Sequence, residues 1–89
     1  MASIRIPTPL RPYTGGQEHV TVSGRTVGEA LADLTRQYPE LERHLFNGGQ
    51  LRSFVNVFVG EEDIRHLDGP HTPVTENTQL LIIPSIAGG

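Results

Sequence analysis

The chain of 89 residues contains no cysteine and no lysine, and its seven basic residues are all arginine. Without cysteine it has no disulfide, no thiolate metal ligand, no cysteine nucleophile and no side chain that could carry a thioester. Without lysine it has neither Schiff-base chemistry nor a side-chain amine nucleophile. These two absences exclude several common kinds of enzyme.

An excess of positive charge and a long apolar run are missing as well. The formal net charge is −3, which argues against the basic surface that nucleic-acid binding needs. No apolar run approaches the roughly 18 residues of a membrane span, and residues 1–10 lack the apolar centre of a signal peptide. We therefore expect one cytoplasmic domain that binds neither nucleic acid nor membrane.

The first half of the chain predicts two strands followed by a helix. Residues 3–6 and 18–23 alternate polar and apolar side chains around a Gly-Gly loop, which indicates a β-hairpin. Thr26 and Glu29 form a capping-box pattern, so we expect a helix to begin at Val27. Its apolar stripe has helical spacing, and Pro39 ends it near residue 38. The stripe consists of Val27, Ala30, Leu31, Leu34 and Tyr38, and Leu41 and Leu45 add a short turn over the core.

The second half predicts further strands. Residues 54–59 are rich in β-branched and aromatic side chains, which is typical of a central strand. Residues 60–63 form a turn, Ile64 begins a brief return strand, residues 66–78 form a loop, and residues 79–83 form the last strand, which Pro84 stops. One helix on a mixed sheet of four or five strands is an α+β architecture, and this order matches the β-grasp, or ubiquitin-like, roll. We expect a domain over residues 1–83 and a flexible C-terminal tail over residues 84–89.

Candidate catalytic groups do not form a recognisable site. The four histidines lack the helical spacing of a zinc motif, so we interpret them as surface residues. The acidic run from Glu61 to Asp63 is interpreted as a solvated turn rather than a magnesium site. No nucleophile elbow or phosphate-binding glycine loop is present. The sequence therefore indicates a protein that is not itself an enzyme and binds no metal.

The three Gly-Gly pairs differ in their position along the chain. The first two lie between segments, where turns need positive φ. The third pair, Gly88 and Gly89, follows the last strand and the short stretch that contains Ile86 and Ala87. Because glycine has no Cβ, another protein could close tightly around the α-carboxylate of Gly89. Residues 84–89 reach at most ~20 Å when extended, enough to enter a neighbour's active site; the alternative is an ordinary frayed terminus.

With these features the chain resembles the MoaD/ThiS family of ubiquitin-like sulfur carriers over essentially its whole length. Residues 11–16, the strand at 54–57 and the Ile-Ala-Gly-Gly end look most like the CysO-type branch, which carries sulfur for cysteine biosynthesis. Small subunits of molybdopterin synthase more often end in Pro-Pro-Val-Ser-Gly-Gly. Ser85, Ile86 and Ala87 depart from that ending.

The resemblance implies that Gly89 is the reactive residue and that every cofactor belongs to a partner. An ATP-dependent adenylyltransferase, related to ubiquitin-activating enzymes and using Mg²⁺, would activate the carboxylate of Gly89, and a sulfur donor would convert it to a thiocarboxylate. A pyridoxal-phosphate cysteine synthase would then accept the sulfur. A zinc metalloprotease would release the cysteine adduct.

Strand alternation predicts a docking patch on the sheet face away from the helix. If Val55 and Val57 point inward, Phe58 points outward, and Leu81 and Ile83 lie beside it. We expect Phe58, Leu81 and Ile83 to contact a partner, although scattered surface hydrophobics are common. Two other functions stay open, namely a molybdopterin synthase small subunit and a ubiquitin-like modifier or interaction module.

Overall fold

The computed structural model describes residues 1–84, and its centre is a mixed sheet of five strands. The sequence predictions for residues 85–89 fall outside the residues that the structure describes. The strands of the sheet stand in the order β2-β1-β7-β5-β6. Their bounds are β1 Ala2–Arg5, β2 His19–Val22, β5 Val55–Val59, β6 Glu62–Asp63 and β7 Gln79–Pro84. Two further short strands, β3 Phe46–Asn47 and β4 Gln50–Leu51, form a separate hairpin.

Strand pairing confirms the β-grasp prediction. β1 pairs antiparallel with β2 and parallel with β7, and β5 pairs antiparallel with both β7 and β6. Residues 54–59 are predicted to form a central strand, and β5 does lie inside the sheet, between β7 and β6, although β7 takes the middle position. The inward side chains of β7, Leu80 and Ile82, are almost completely buried.

The main helix, α1 at Val27–Gln37, begins where the sequence predicts. The hydroxyl of Thr26 accepts a hydrogen bond from the backbone N–H of Glu29 at 3.2 Å. The Glu29 carboxylate in turn accepts from the backbone N–H of Arg25 at 2.8 Å, so two free donors at the helix start are satisfied. The buried face of α1 joins the inward side chains of the sheet in one core.

A short segment after α1 closes the open end of the core. Residues Pro39–Leu41 form one 3-10 turn, and a one-turn helix, α2, spans Glu42–Leu45. Leu41 and Leu45 are fully buried, which confirms the prediction that they cover the core. Gly48 and Gly49 have φ values of 62° and 84° and make the tight connection between β3 and β4, a conformation that glycine adopts without strain.

Two connecting segments differ from the sequence prediction. Residues Thr8–Thr14, which belong to the predicted loop between the first two strands, form a 3-10 helix with proline in its first turn. The return strand begins at Glu62 rather than at Ile64, which instead starts a second 3-10 turn over Ile64–His66. Ile64 is buried, so its apolar side chain packs into the core without strand geometry. None of the helices within residues 1–84 has the length and apolar content to cross a membrane.

Candidate functional site

The sheet face away from α1 carries the three residues predicted as a docking patch. Phe58 on β5 lies directly opposite Leu81 on β7, and Asn56 lies opposite Ile83. Phe58 and Leu81 are half-buried, and Ile83 is 41% exposed. Directly opposed residues have Cβ atoms about 4.5–5.5 Å apart. The structure therefore brings Phe58, Leu81 and Ile83 together as one apolar surface, which we call the sheet patch.

The opposite face of the same two strands points into the core, as strand alternation predicts. Val55 and Val57 on β5 are 3% and 1% exposed, and Leu80 and Ile82 on β7 are 0% and 1% exposed. A shift of register by one residue would bury the sheet patch and expose these four side chains. The buried face thus fixes which side chains reach solvent.

Arg65 lies beside the sheet patch and was not found by sequence reasoning. Its guanidinium donates to Asn56 Oδ1 at 2.7 Å and to the backbone carbonyls of Ser53 at 3.0 Å and Val55 at 3.2 Å. β6 pairs only with Phe58 and Val59, so Arg65 satisfies carbonyl groups at the start of β5 and just before it, where β6 does not reach. It also places one positive charge next to the apolar surface. No short-range pattern signals these contacts, because they join residues 9 to 12 positions apart.

The carboxyl group of Asp33 has a structural role. Asp33 on α1 accepts a hydrogen bond from the backbone N–H of Ser23 at 3.1 Å, and its side chain is only 8% exposed. This backbone hydrogen bond lowers the pKa of Asp33 below its usual 3.8, burial acts in the opposite direction, and contacts from Arg36 and Gln37 lower it further. Asp33 therefore holds the end of β2 against α1 as a carboxylate.

The histidines and the acidic turn do not form a metal site in residues 1–84, where no group of three or more His, Asp or Glu side chains could hold an ion. His19, His66 and His71 are exposed, in agreement with their interpretation as surface residues. His44 differs from that interpretation, because it is half-buried and stacks on Tyr13 with ring centroids 4.3 Å apart.

The predicted reactive end follows directly from β7. Pro84, predicted to stop this strand, is instead its last residue and pairs with Val55 in the sheet, and it is also the last residue that the structure describes. Gly89, with Ile86, Ala87 and Gly88, lies outside the described residues, so its predicted role stays a prediction. The sheet patch nevertheless shares β7 with this end, since Leu81 and Ile83 precede Pro84 by three residues and one residue.

Known proteins share the sequence pattern and the fold of this chain. The sequence profile of the ThiS family matches residues 4–89. The sulfur carrier protein CysO of Mycobacterium tuberculosis is 39% identical over 90 residues, which cover 98% of this chain and 97% of that protein. The crystal structure of the BexX/CysO complex from Amycolatopsis orientalis contains a chain that superposes with a TM-score of 0.91 at 35% identity, with 100% of both chains covered. The solution structure of small archaeal modifier protein 1 from Methanosarcina acetivorans superposes with a TM-score of 0.90 at 27% identity, covering 99% of this chain and 95% of that one.

Proposed function

This chain belongs to the ThiS family and is a sulfur carrier of the CysO type rather than an enzyme, and we propose that the α-carboxylate of Gly89 carries the sulfur. The observation that supports this most is the similarity to the mycobacterial carrier over nearly the full length of both chains. The chain offers no cysteine as another sulfur-bearing group. No cysteine thiol therefore competes with Gly89 as the group that carries sulfur.

The chemistry at Gly89 requires activation by a partner. An α-carboxylate has a reference pKa of about 3.3–3.7, so it is ionised at neutral pH and is a poor electrophile. One of its oxygens attacks the α-phosphorus of ATP, which releases pyrophosphate and leaves an acyl-adenylate. A sulfide-level donor then attacks the carbonyl carbon, AMP leaves, and Gly89 ends in a thiocarboxylate. ATP and Mg²⁺ belong to the activating enzyme.

The most specific role that we propose is sulfur donation for cysteine biosynthesis. A pyridoxal-phosphate cysteine synthase would supply the chemistry that eliminates the leaving group of an activated serine, and the thiocarboxylate sulfur of Gly89 would then add to the β-carbon. Transfer of the Gly89 acyl group from sulfur to the amino group leaves a cysteine linked by an amide bond. A zinc metalloprotease hydrolyses that amide, which releases cysteine and restores the carboxylate.

We propose that the sheet patch is the surface that the activating enzyme recognises. An aromatic side chain next to two aliphatic ones provides the kind of apolar centre around which protein interfaces form. Leu81 and Ile83 lie on the strand that leads to the reactive end, so a partner that contacts them is within reach of the tail. Phe58 completes the patch from the neighbouring strand.

A second candidate function is covalent modification of other proteins. The similarity to an archaeal modifier protein favours this candidate specifically, because the two chains share the fold over almost their whole length. In that case the activated Gly89 acyl group is transferred to a lysine amine of another protein. The chain has no lysine, so it offers no side-chain amine on which copies of itself could be linked.

The test is a reconstitution with the purified protein, ATP, sulfide and the ATP-dependent activating enzyme of the same organism. Trypsin leaves residues 66–89 as one peptide because no arginine or lysine follows Arg65. The carrier function predicts that this peptide gains the mass difference between one sulfur and one oxygen atom, with the change on Gly89. Deletion of Gly89 should abolish the change while the circular dichroism spectrum stays the same.

Two results would count against the carrier function. A terminus that stays unmodified in the complete reaction contradicts it. Conjugates with other proteins that survive reducing, denaturing gels, without any thiocarboxylate, favour the modifier instead.

A further inference from the structure

A groove of about 360 Å³ lies at the end of the sheet where β7 finishes. Buried side chains of Leu45, Val55 and Ile82 contribute to its floor. Phe54, which is 39% exposed, and Pro84 also line it. The groove is therefore an apolar depression next to Pro84, the last residue that the structure describes.

The charged residues that line this groove have one sign. Among its lining residues, Arg43 and Arg52 carry permanent charge, His44 is the other titratable group, and no carboxylate is present. This is unusual for a chain of net charge −3. Within residues 1–84, the ion pairs involve Arg5, Arg11 and Arg36 and neither groove arginine. The guanidinium groups of the groove thus have no acidic partner in the described part of the chain.

Arg52 is held in place rather than left free at the surface. Its Nε donates to the backbone carbonyl of Arg43 at 3.0 Å, and its guanidinium carbon lies 6.0 Å from the centre of the Phe54 ring. That distance is within the range of a cation–π contact. The hydrogen bond to Arg43 and the contact with the Phe54 ring already restrict the Arg52 side chain. Its remaining N–H groups can therefore bind a ligand with little further loss of side-chain entropy.

This combination of an apolar floor and a positive rim fits a particular ligand chemistry. In a bound peptide, apolar side chains would pack on the floor of the groove. Aspartate or glutamate side chains on either side of them would pair with Arg43 and Arg52. A nucleic acid fits less well, because the net negative charge of the chain repels a phosphate backbone. The geometry and the charge therefore favour a segment of protein.

We propose that this groove docks an acidic, apolar segment of a partner protein, as a second contact separate from the sheet patch. That the partner is the enzyme acting on Gly89 rests on the proposed function, whereas the binding of such a segment does not. Pro84 lines the groove, so a protein that holds the residues after Pro84 passes directly over it. The groove then helps to fix the direction in which the C-terminus enters the partner.

The test is an NMR titration of the ¹⁵N-labelled full-length protein with three matched peptides, Glu-Leu-Asp-Leu-Glu, Gln-Leu-Asn-Leu-Gln and Lys-Leu-Lys-Leu-Lys, each capped at both ends. The acidic peptide should shift the amides of residues 43–45 and 52–55, and it should bind roughly two- to thirtyfold more tightly than the neutral one, as expected for two exposed ion pairs. The double variant Arg43→Glu/Arg52→Glu should reverse the preference, so that the lysine peptide binds best. Arg25→Glu, at an exposed arginine outside the groove, should leave the order unchanged.

Several outcomes would overturn the proposal. These are equal affinity for the acidic and neutral peptides, shifts confined to the sheet patch, or no shifts at all. The chemical shift of the Gly89 amide is also compared between the wild type and the double variant without peptide. A difference would mean that the groove binds the chain's own C-terminal segment instead of a partner. The titration contains no ATP and no enzyme, so its failure and a failure of the carrier function are distinguishable.

Discussion

Phe58 and Leu81 face each other across the antiparallel pair β5 and β7, on the side of the sheet turned away from the helix. Their positions follow from burial on the other side, because Val57 and Leu80, each next in sequence to one of them, are almost completely buried. The pair therefore remains at the surface for as long as the core is intact. This relationship makes the sheet patch a stable surface that a partner can recognise.

Replacement of Phe58 by alanine should weaken recognition by the activating enzyme. Because Phe58 is half-buried, its loss should cost less stability than the ~3–5 kcal/mol of a fully buried phenylalanine. We expect the KM for the carrier in ATP-dependent activation to rise at least about tenfold, as for the central residue of an interface. Leu67→Ala, at a loop leucine that is 42% exposed, is the matched control and should leave KM unchanged. Equal effects of the two variants would contradict a docking role for the patch.

Replacement of Thr26 by alanine should destabilise the fold through the start of α1. The hydroxyl accepts the backbone N–H of Glu29, and loss of such a cap typically costs about 0.5–2 kcal/mol. Urea unfolding monitored by circular dichroism measures this free energy. Thr26→Ser retains the hydroxyl and should stay within about 0.5 kcal/mol of the wild type. If serine is as destabilising as alanine, the cap is not the cause.

Asp33 should make stability depend on pH in the acid range. Its pKa is lowered in the folded protein, first by the hydrogen bond from the Ser23 backbone. The unfolded chain therefore binds the proton more readily, and the stability that Asp33 contributes is complete above pH 3.8 and is lost as the pH falls through the folded-state pKa. In urea unfolding at a series of pH values, Asp33→Asn should be less stable at pH 7 and should lose less stability below pH 3.8. An equally steep decline in both proteins would contradict this assignment.

Removal of the Arg65 side chain should expose part of β5. Arg65→Ala deletes three hydrogen bonds to Asn56, Ser53 and Val55, which should cost about 1–2 kcal/mol of stability because the site is exposed. The freed carbonyls are available for pairing with another chain. Analytical ultracentrifugation should show more self-association than for the wild type, whereas Arg25→Ala, at another exposed arginine, should not. A variant that stays monomeric at wild-type stability would refute this role.

Features that depend on local chemistry were predictable from the sequence. The helix start follows from Thr26 and Glu29, and the inward and outward faces of β5 follow from side-chain alternation. The hairpin between β3 and β4 also has a local signal in Asn47, Gly48 and Gly49, although the sequence analysis predicts only a turn at this Gly-Gly pair and no flanking strands.

Features that depend on distant parts of the chain were not predictable in this way. The central place of β7 results from parallel pairing with β1, at the other end of the sequence. The Arg65 contacts and the basic groove likewise join segments that no short pattern connects. Ile64 illustrates the same limit, since its burial was foreseeable but its 3-10 geometry was not.

Whether Gly89 carries sulfur can be read from the mass of the native protein. The protein is purified without reductant from cells limited for cysteine, and its intact mass is measured before and after hydrolysis of thiocarboxylates. The carrier function predicts a species that is heavier by the difference between one sulfur and one oxygen atom, with the modification on Gly89. It also predicts a second species with the mass of a cysteine adduct. A terminus that is unmodified under this limitation, and that stays so with ATP, sulfide and the activating enzyme, would contradict the account.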